Sequence, residues 1–415
     1  MNIKERLKLI DALPRSHGIS AKSAQPNVPK HENDIHTILA GETIETQFGS
    51  FFRARRHYPA QSVHGSVPIS SVLNKDASLL TVLENNPALA NLDLRQVLFV
   101  DTETTGLSGG VGTCAFLIGI GYFGTSGFVV DQYLMNDFHE EMAMLQSLSD
   151  FVGNYSAIVT YNGKSFDIPL LNSRHIYVGL TSPFDGMLHI DLLHCVRRLW
   201  NHRLPDCVLT TAEMQLLAAA RQGDVPGFLI PTTYFEFLRS RDPEPLRSVL
   251  YHNEKDIVAM VTLLNKACEL VADPLSHCVQ ANDIVRVGKL YEKSGLIDTA
   301  IQFYEAYRAE HSPNAGMSEL LIQLAFAYKK SDRQRQAAAV WENCIAAQRY
   351  HPLPYIELAK YYEHRAKRFD KALSLVDKAL SELDVIGQVG GRQDWAEYEA
   401  DLAYRRNRLL RKVAR

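Results

Sequence analysis

Asp101, Thr102 and Glu103 close an apolar run that begins at Val97. Residues two apart on a strand point to the same face, so this spacing predicts two carboxylates side by side, a pair that repels itself unless a cation intervenes. Asp167 stands in Asn162-Gly163-Lys164-Ser165-Phe166-Asp167, directly after a second apolar run, and Asp256 stands four residues after His252 on an expected helix. Four carboxylates from three elements are thereby available to one site. An all-oxygen donor set suits a hard divalent cation, Mg2+ or Mn2+. His252 shares a helix face with Asp256, and an imidazole, which titrates near neutral pH, can there take a proton from a water held beside the carboxylate. The competing readings are plain ones: an Asp-x-Glu at a solvated strand end, and a histidine satisfied within the structure.

Positioning these side chains requires a sheet. Short β-rich runs follow one another from Val97 (VLFVDTE, FLIGIGYF, GFVVDQYLM), separated by glycine-rich turns, and read as three strands in meander order. Met142, Leu145, Leu148 and Val152 recur at helical spacing, AIVTYNG and HIDLL give two more strands, and helices dominate thereafter, including 250–267. Strands alternating with helices imply an α/β fold with a mixed sheet layered by helices. Upstream, 41–58 alternates polar and apolar residues about Gly49 and predicts a hairpin, while the first 40 residues read as a mobile lead. The expected divisions are a lead at 1–40, a hairpin extension at 41–95, the α/β domain at 96–272 and a helical region at 281–415. In the last, Tyr291, Tyr328 and Tyr362 recur at intervals of 37 and 34 residues, Ala300 and Ala337 each follow their tyrosine by nine, and Gly288, Ala325 and Ala359 precede them. Period and residue types resemble tetratricopeptide repeats, with 395–413 as a capping helix; an irregular helical bundle is the alternative.

VDTETTGL, then NGKSFDIPLL, then a helix ending in a carboxylate resemble the three exonuclease motifs of the DnaQ-like, four-carboxylate (DEDD) branch of the ribonuclease H-like superfamily, in the same order and context. SGGVGT, LHCVRRLW, DVPG and HNEKD are similar to the bacterial YprB-like family of predicted exonucleases, many members of which append tetratricopeptide-like repeats. The resemblance spans 38–267. It implies a ribonuclease H-like mixed sheet flanked by helices, followed by an all-α tetratricopeptide-like repeat domain. It also implies a 3'-5' exonuclease that hydrolyses phosphodiester bonds at DNA or RNA ends, with two metal ions on Asp101, Glu103, Asp167 and Asp256. Asn162 would contact the terminal nucleotide, with Thr102 and Thr104 beside it. Superfamily members place His five residues, or Tyr four residues, before the last aspartate; this chain exchanges the two types, with His252 at four and Tyr251 at five. The alternative function is a nucleic-acid-binding module, weak or inactive in catalysis, whose repeats recruit proteins.

The chain of 415 residues has 44 Lys and Arg against 47 Asp and Glu, a net of -3, so no overall basic field announces a nucleic-acid partner. The balance averages two unlike regions: 1–280 is net -7 and 281–415 net +4. No Lys or Arg occurs at 96–163, so phosphate contacts must come from elsewhere, with Lys164, Arg174, Arg197, Arg198, Arg203 and the Arg53, Arg55, Arg56 cluster as candidates. Phe166, Trp200 and Tyr234 are candidates to stack on bases, with core packing the commoner fate. Single-stranded ends are the expected nucleic-acid partner, and a protein or peptide is the expected partner of the repeats.

Gly163-Lys164-Ser165 imitates the end of a phosphate-binding loop, but Ile158 stands where its first glycine belongs, which argues against a nucleoside triphosphate. His189, His194, Cys195, His202 and Cys207 match no zinc spacing. Six scattered cysteines suit reduced thiols in the cytoplasm, and the uncharged stretch 104–130 is broken by eight glycines, so no membrane span is expected.

Overall fold

A computed structural model of the protein describes residues 34–106, 112–311, 317–346, 351–388 and 395–414. Most of the expected lead, and most of the SGGVGT segment, lie outside the described residues. A single helical turn, α1 (Ile35–Leu39), is capped by Asp34, whose carboxylate accepts the His36 N–H. Then β1 (Gly41–Thr46) and β2 (Gly49–Pro59) form the hairpin, turning at Gly49, whose φ of +115° favours glycine. A two-stranded ribbon, β3 (Val63–His64) and β4 (Val67–Pro68), and helix α2 (Ser78–Glu84) lead to the meander β5 (Val97–Thr104), β6 (Ala115–Phe123) and β7 (Gly127–Leu134). After α3 (Glu141–Val152) come β8 (Ala157–Thr160), α4 (Asp167–Tyr177), β9 (Leu188–Asp191), α5 (Leu192–Trp200), α6 (Leu209–Leu217), α7 (Ile230–Ser240) and the 27-residue α8 (Leu246–Ala272).

The seven-stranded sheet runs β1-β2-β7-β6-β5-β8-β9, antiparallel except that β5, β8 and β9 are parallel. This is the mixed sheet with flanking helices that the motifs imply, with all-helical structure after it. The hairpin extends the same sheet, because β2 pairs with β7 from Phe52 opposite Leu134 to Pro59 opposite Gly127.

Alternation along β5 separates two apolar layers. Val97 and Phe99 pack with Ile257, Val258 and Val261 of α8, whereas Leu98 and Val100 pack with Met144 and Leu148 of α3. Asp101 and Glu103 continue the Val97–Phe99 register and therefore emerge on the side that α8 covers. That long helix packs against β5, β6 and β7, which carries its middle turns over the carboxylates.

Beyond α9 (Pro274–His277), the chain continues as α10 (Ala281–Lys293), α11 (Ile297–Glu310), α12 (Met317–Lys330), α13 (Gln334–Ala346), α14 (Pro352–His364), α15 (Phe369–Gln388) and α16 (Ala396–Val413). Neighbours pack in pairs, α10 with α11, α12 with α13, α14 with α15. The small residues read from the sequence sit at these contacts: a Cβ on Gly288 would lie 2.2 Å from the Tyr304 hydroxyl oxygen, so only glycine admits that ring. The first pair shares the apolar layer of α8, and the Tyr291 hydroxyl donates to the Val271 carbonyl at 3.0 Å. Asp283, fully buried, joins the regions by charge as well, meeting His202 at 3.1 Å and Arg203 at 3.6 Å.

Candidate functional site

Asp101 is held from above by Asn253 of α8, whose Nδ2 donates to Asp101 Oδ2 at 2.9 Å and to the Asp101 carbonyl at 3.3 Å. Asn253 is oriented in turn by Gln132 of β7, whose Nε2 donates to Asn253 Oδ1 at 2.9 Å and to the Leu250 carbonyl at 2.7 Å. The amide reaches the strand only because β6 carries glycine at 119, where a Cβ would lie 2.2 Å from Asn253 Oδ1. Gly119→Ala is therefore expected to displace Asn253 and cost about 1–3 kcal/mol, read as a lower urea midpoint with an unchanged slope.

Asp167 opens α4, where the unpaired N–H groups of the first turn favour a carboxylate. Its Oδ1 accepts two bonds from Thr102, the N–H at 3.1 Å and the hydroxyl at 2.5 Å, so Thr102 holds the carboxylate rather than facing solvent. Asp256 and Glu103 keep 14% and 13% of their side chains exposed, which leaves the cluster a mouth to solvent.

Burial and mutual repulsion dominate the electrostatics. Asp101 is pushed well above the usual carboxylate range by burial, then by the charges of Asp256, Glu103 and Asp167, against the Asn253 bond. Glu103 is pushed well up by burial and then by Asp256, Asp167 and Asp224. Asp256 is also raised by burial, although Arg221 and His252 oppose the shift. Asp167 rises from 3.8 to about 6, again through burial, with the Thr102 bonds pulling the other way. A carboxyl whose native pKa is raised binds its proton more tightly when folded, so its contribution is fully present below 3.8 and lost as pH climbs through about 6. Thermal unfolding in EDTA should therefore show stability falling across that interval.

Arg221 lies in the connection between α6 and α7, and its side chain is 7% exposed. Its Nη2 stands 2.5 Å from Asp256 Oδ1, its Nε donates to Glu213 Oε2 at 2.6 Å, and its Nη1 donates to Asp224 Oδ2 at 3.2 Å. Glu213 also meets His64 at 2.9 Å. The contact to Asp256 is an ion pair that opposes the rise of its carboxyl. His252 places Nδ1 2.8 Å from Asp224 Oδ1, and its Nε2 lies 3.5 Å from Asp256 Oδ2 and 4.0 Å from Glu103 Oε1. Among the described residues no three His, Cys, Asp or Glu side chains stand where they could together hold a metal ion. The donor chemistry nonetheless suits a hard cation: four carboxylates are raised by burial, and two of them, Asp101 and Glu103, also by the charges of the others.

Asn162, with φ of +68°, and Lys164 turn their N–H groups onto Asp191, at 2.8 and 3.1 Å, which makes Asp191 the support of that loop. Lys164 extends its ammonium to Glu84 at 2.9 Å, away from a free role on phosphate. Thr104 bonds the Gly106 carbonyl, while Phe166 stands 58% exposed beside Asp167. Most of the expected phosphate-gripping arginines are already paired: Arg55 with Asp131, Arg174 with Glu141, Arg198 with Glu84, Arg53 with Glu42. Arg197 is exposed. Trp200 and Tyr234 are buried, Tyr234 against Phe116 with ring centroids 3.9 Å apart. Burying such a ring is worth roughly 1.5–3 kcal/mol, as much as a base stack of about 1–3 kcal/mol returns, so neither leaves the core to meet a base.

The Glu213–Arg221–Asp224 network and the Asn253–Gln132 pair are absent from the expectations above. Asp224 lies in the DVPG segment that carried the resemblance, a signal that marked the place without its role.

The comparisons with known proteins concern the family and the fold. The YprB protein of Bacillus subtilis (strain 168) is 34% identical over 291 residues, which is 69% of each chain. The chain belongs to the YprB family. Residues 98–268 match the model described as RNase_H_2 of the RNase H superfamily, the interval from β5 to the end of α8. Among solved structures, the family B DNA polymerase of the hyperthermophilic archaeon Pyrobaculum calidifontis is similar with a TM-score of 0.35 and 16% identity, over 51% of this chain and 29% of that one. The superfamily is one of nucleases, whose members generally use divalent metals. Among the described residues no helix is long and apolar enough to cross a membrane.

Proposed function

We propose that the protein is a metal-dependent 3'-5' exonuclease that hydrolyses phosphodiester bonds at single-stranded ends of DNA or RNA. The observation that carries the reading is the meeting of Asp101, Glu103, Asp167 and Asp256, from β5, α4 and α8, in one buried cluster whose members raise one another's pKa. Asp101, Glu103, Asp167 and Asp256 would hold two Mg2+ or Mn2+ ions. Such ions, when bound, supply Lewis-acid stabilisation of the phosphoryl oxygens and lower the pKa of water.

The chain's own residues supply the proton chemistry. His252 sets Nδ1 against Asp224, which orients the ring so that Nε2 faces Glu103 and Asp256. That nitrogen takes the proton of the attacking water. Phe166, exposed beside Asp167, receives the terminal base, and Asn162 contacts the terminal nucleotide. The paired helices α10 to α15, whose tyrosines and small residues recur as in tetratricopeptide repeats, receive a protein or peptide partner. Six unpaired thiols suit a cytoplasmic protein.

The test is incubation of 5'-labelled single-stranded DNA and RNA with Mn2+ or Mg2+. A ladder shortening from the 3' end is expected; intact substrate in both metals overturns the proposal. One observation favours a second reading, a nucleic-acid holder without catalysis: the Arg221 charge contact already neutralises Asp256. Titration calorimetry separates the two, since two bound Mn2+ ions per chain support the enzyme and none supports the holder.

A further inference from the structure

A cavity of about 310 Å³ opens between α12, α13, α14 and α16, far along the chain from the carboxylates. Its walls carry Lys329, Lys360, Arg365, Arg405 and Arg408, with Glu357 as the acid among them, and its apolar side is made by Ala337, Ala338, Trp341 and Tyr361. Glu357 is already saturated, by Lys329 at 2.5 Å and Lys360 at 2.7 Å. Beneath the wall, the fully buried Glu363 holds Arg405 at 3.1 Å, Arg408 at 2.6 Å and Lys412 at 2.8 Å. Asp401 and Asp332 approach Arg405 and Arg365 at 3.5 and 3.9 Å. Six cations thus face four acids, an excess of two positive charges.

Three further observations show that this excess is unmet. Arg405 is 5% exposed, and its Nε is buried without an acceptor; Arg408 Nε is in the same state. Among the described residues Arg365 has only the distant Asp332, and it keeps 62% of its side chain exposed. His364, also on the wall, is lowered chiefly by burial, with Glu363 pulling the other way and Arg408, Lys412 and Arg405 adding smaller contributions to the fall. The cations an incoming oxyanion can reach are the exposed ones, Arg365 at 62% and Lys360 at 39% of the side chain.

We infer that this cavity binds a phosphate monoester of the nucleoside monophosphate class, with the phosphate among the arginines and the base against the apolar wall. Charge selects the class: a monoester carries about two negative charges near neutral pH, matching the excess, whereas a carboxylate or an internal phosphodiester carries one. The volume, at the lower end of small-molecule sites, suits a molecule of this size rather than a folded partner. A free nucleotide and the terminal phosphate of a strand present the same group.

The test uses the full chain in EDTA, so that the carboxylate cluster cannot hold a phosphate through metal. Titration calorimetry with inorganic phosphate, with adenosine 5'-monophosphate, and with a short oligonucleotide with and without a 5'-phosphate separates the sources. Adenosine monophosphate should bind more tightly than inorganic phosphate, and the phosphorylated oligonucleotide should match it only if strand ends are the ligand. Lys360→Gln combined with Arg365→Gln, neither of them an ion-pair partner of Glu363 among the described residues, should weaken binding by about tenfold or more, while Lys329 stays on Glu357 and the fold is kept. Asp167→Asn should leave it unchanged. Absence of heat with every phosphate probe, binding indifferent to the double substitution, or tighter binding of a C-terminal acidic peptide or a phosphopeptide than of the nucleotide overturns the inference.

Discussion

Asp101→Asn is expected to cut Mn2+-dependent cleavage of an oligonucleotide by about 10³-fold or more, while the metal-free protein becomes more stable. The first effect follows from removing one carboxylate from a centre that stabilises several kcal/mol of transition-state charge, each 1.36 kcal/mol being about a factor of ten. The second has a separate cause. Ionised Asp101 is disfavoured by burial and by Asp256, Glu103 and Asp167, whereas an amide keeps an oxygen for Asn253 Nδ2 and removes one of the repelling charges. Paired measurements decide the matter: a time course on labelled substrate, and thermal unfolding in EDTA and in Mn2+. Mn2+ should raise the unfolding temperature of the parent protein more than that of the variant. Cleavage that survives the substitution removes Asp101 from the reaction, and a variant less stable in EDTA shows that repulsion is not what the carboxylates experience.

Arg221→Gln is expected to destabilise the metal-free protein by about 3–5 kcal/mol, the cost of stripping the partner from buried charge. One guanidinium is shared by Glu213, Asp224 and Asp256, and Glu213, with 2% of its side chain exposed, would keep only His64. Lysine does not substitute, because a point charge cannot reach three carboxylates in the planar fork that Arg221 uses. Urea unfolding in EDTA near pH 7.5 gives the loss. Added Mn2+ should recover part of it, about 2.7 kcal/mol at a hundredfold excess over its Kd, since a bound cation replaces the missing charge beside Asp256. A variant as stable as its parent in EDTA would mean that the three acids are protonated or solvated, and the account of Arg221 would fall.

The same two residues mark how far the sequence can be read. Asp101 and Glu103 were legible because a strand repeats every two residues, so their common face, and its continuity with Val97 and Phe99, follows from local geometry. Asp167 was legible from its place after β8, and His252 from its helical offset to Asp256. Arg221 and Asp224 belong to an irregular connection with no period, and nothing local says that such a loop lies against α8. Asn253 looked like any polar helix residue until Gly119 and Gln132 supplied its setting.

The ion pairs of the arginines were illegible for a related reason. Arg55 is matched by Asp131, 76 positions away, and Arg198 by Glu84, 114 positions away, and pairing across such intervals leaves no trace in spacing. By itself, then, the sequence determined the classes of the elements and the order of the four carboxylates along them, since these rest on backbone periodicity. Tertiary structure alone decided which charges remain available. Those near the sheet are largely paired, Asp256 is met by Arg221, and an unmet excess collects between α12 and α16, because a charge's partner is set by distance in space rather than along the chain.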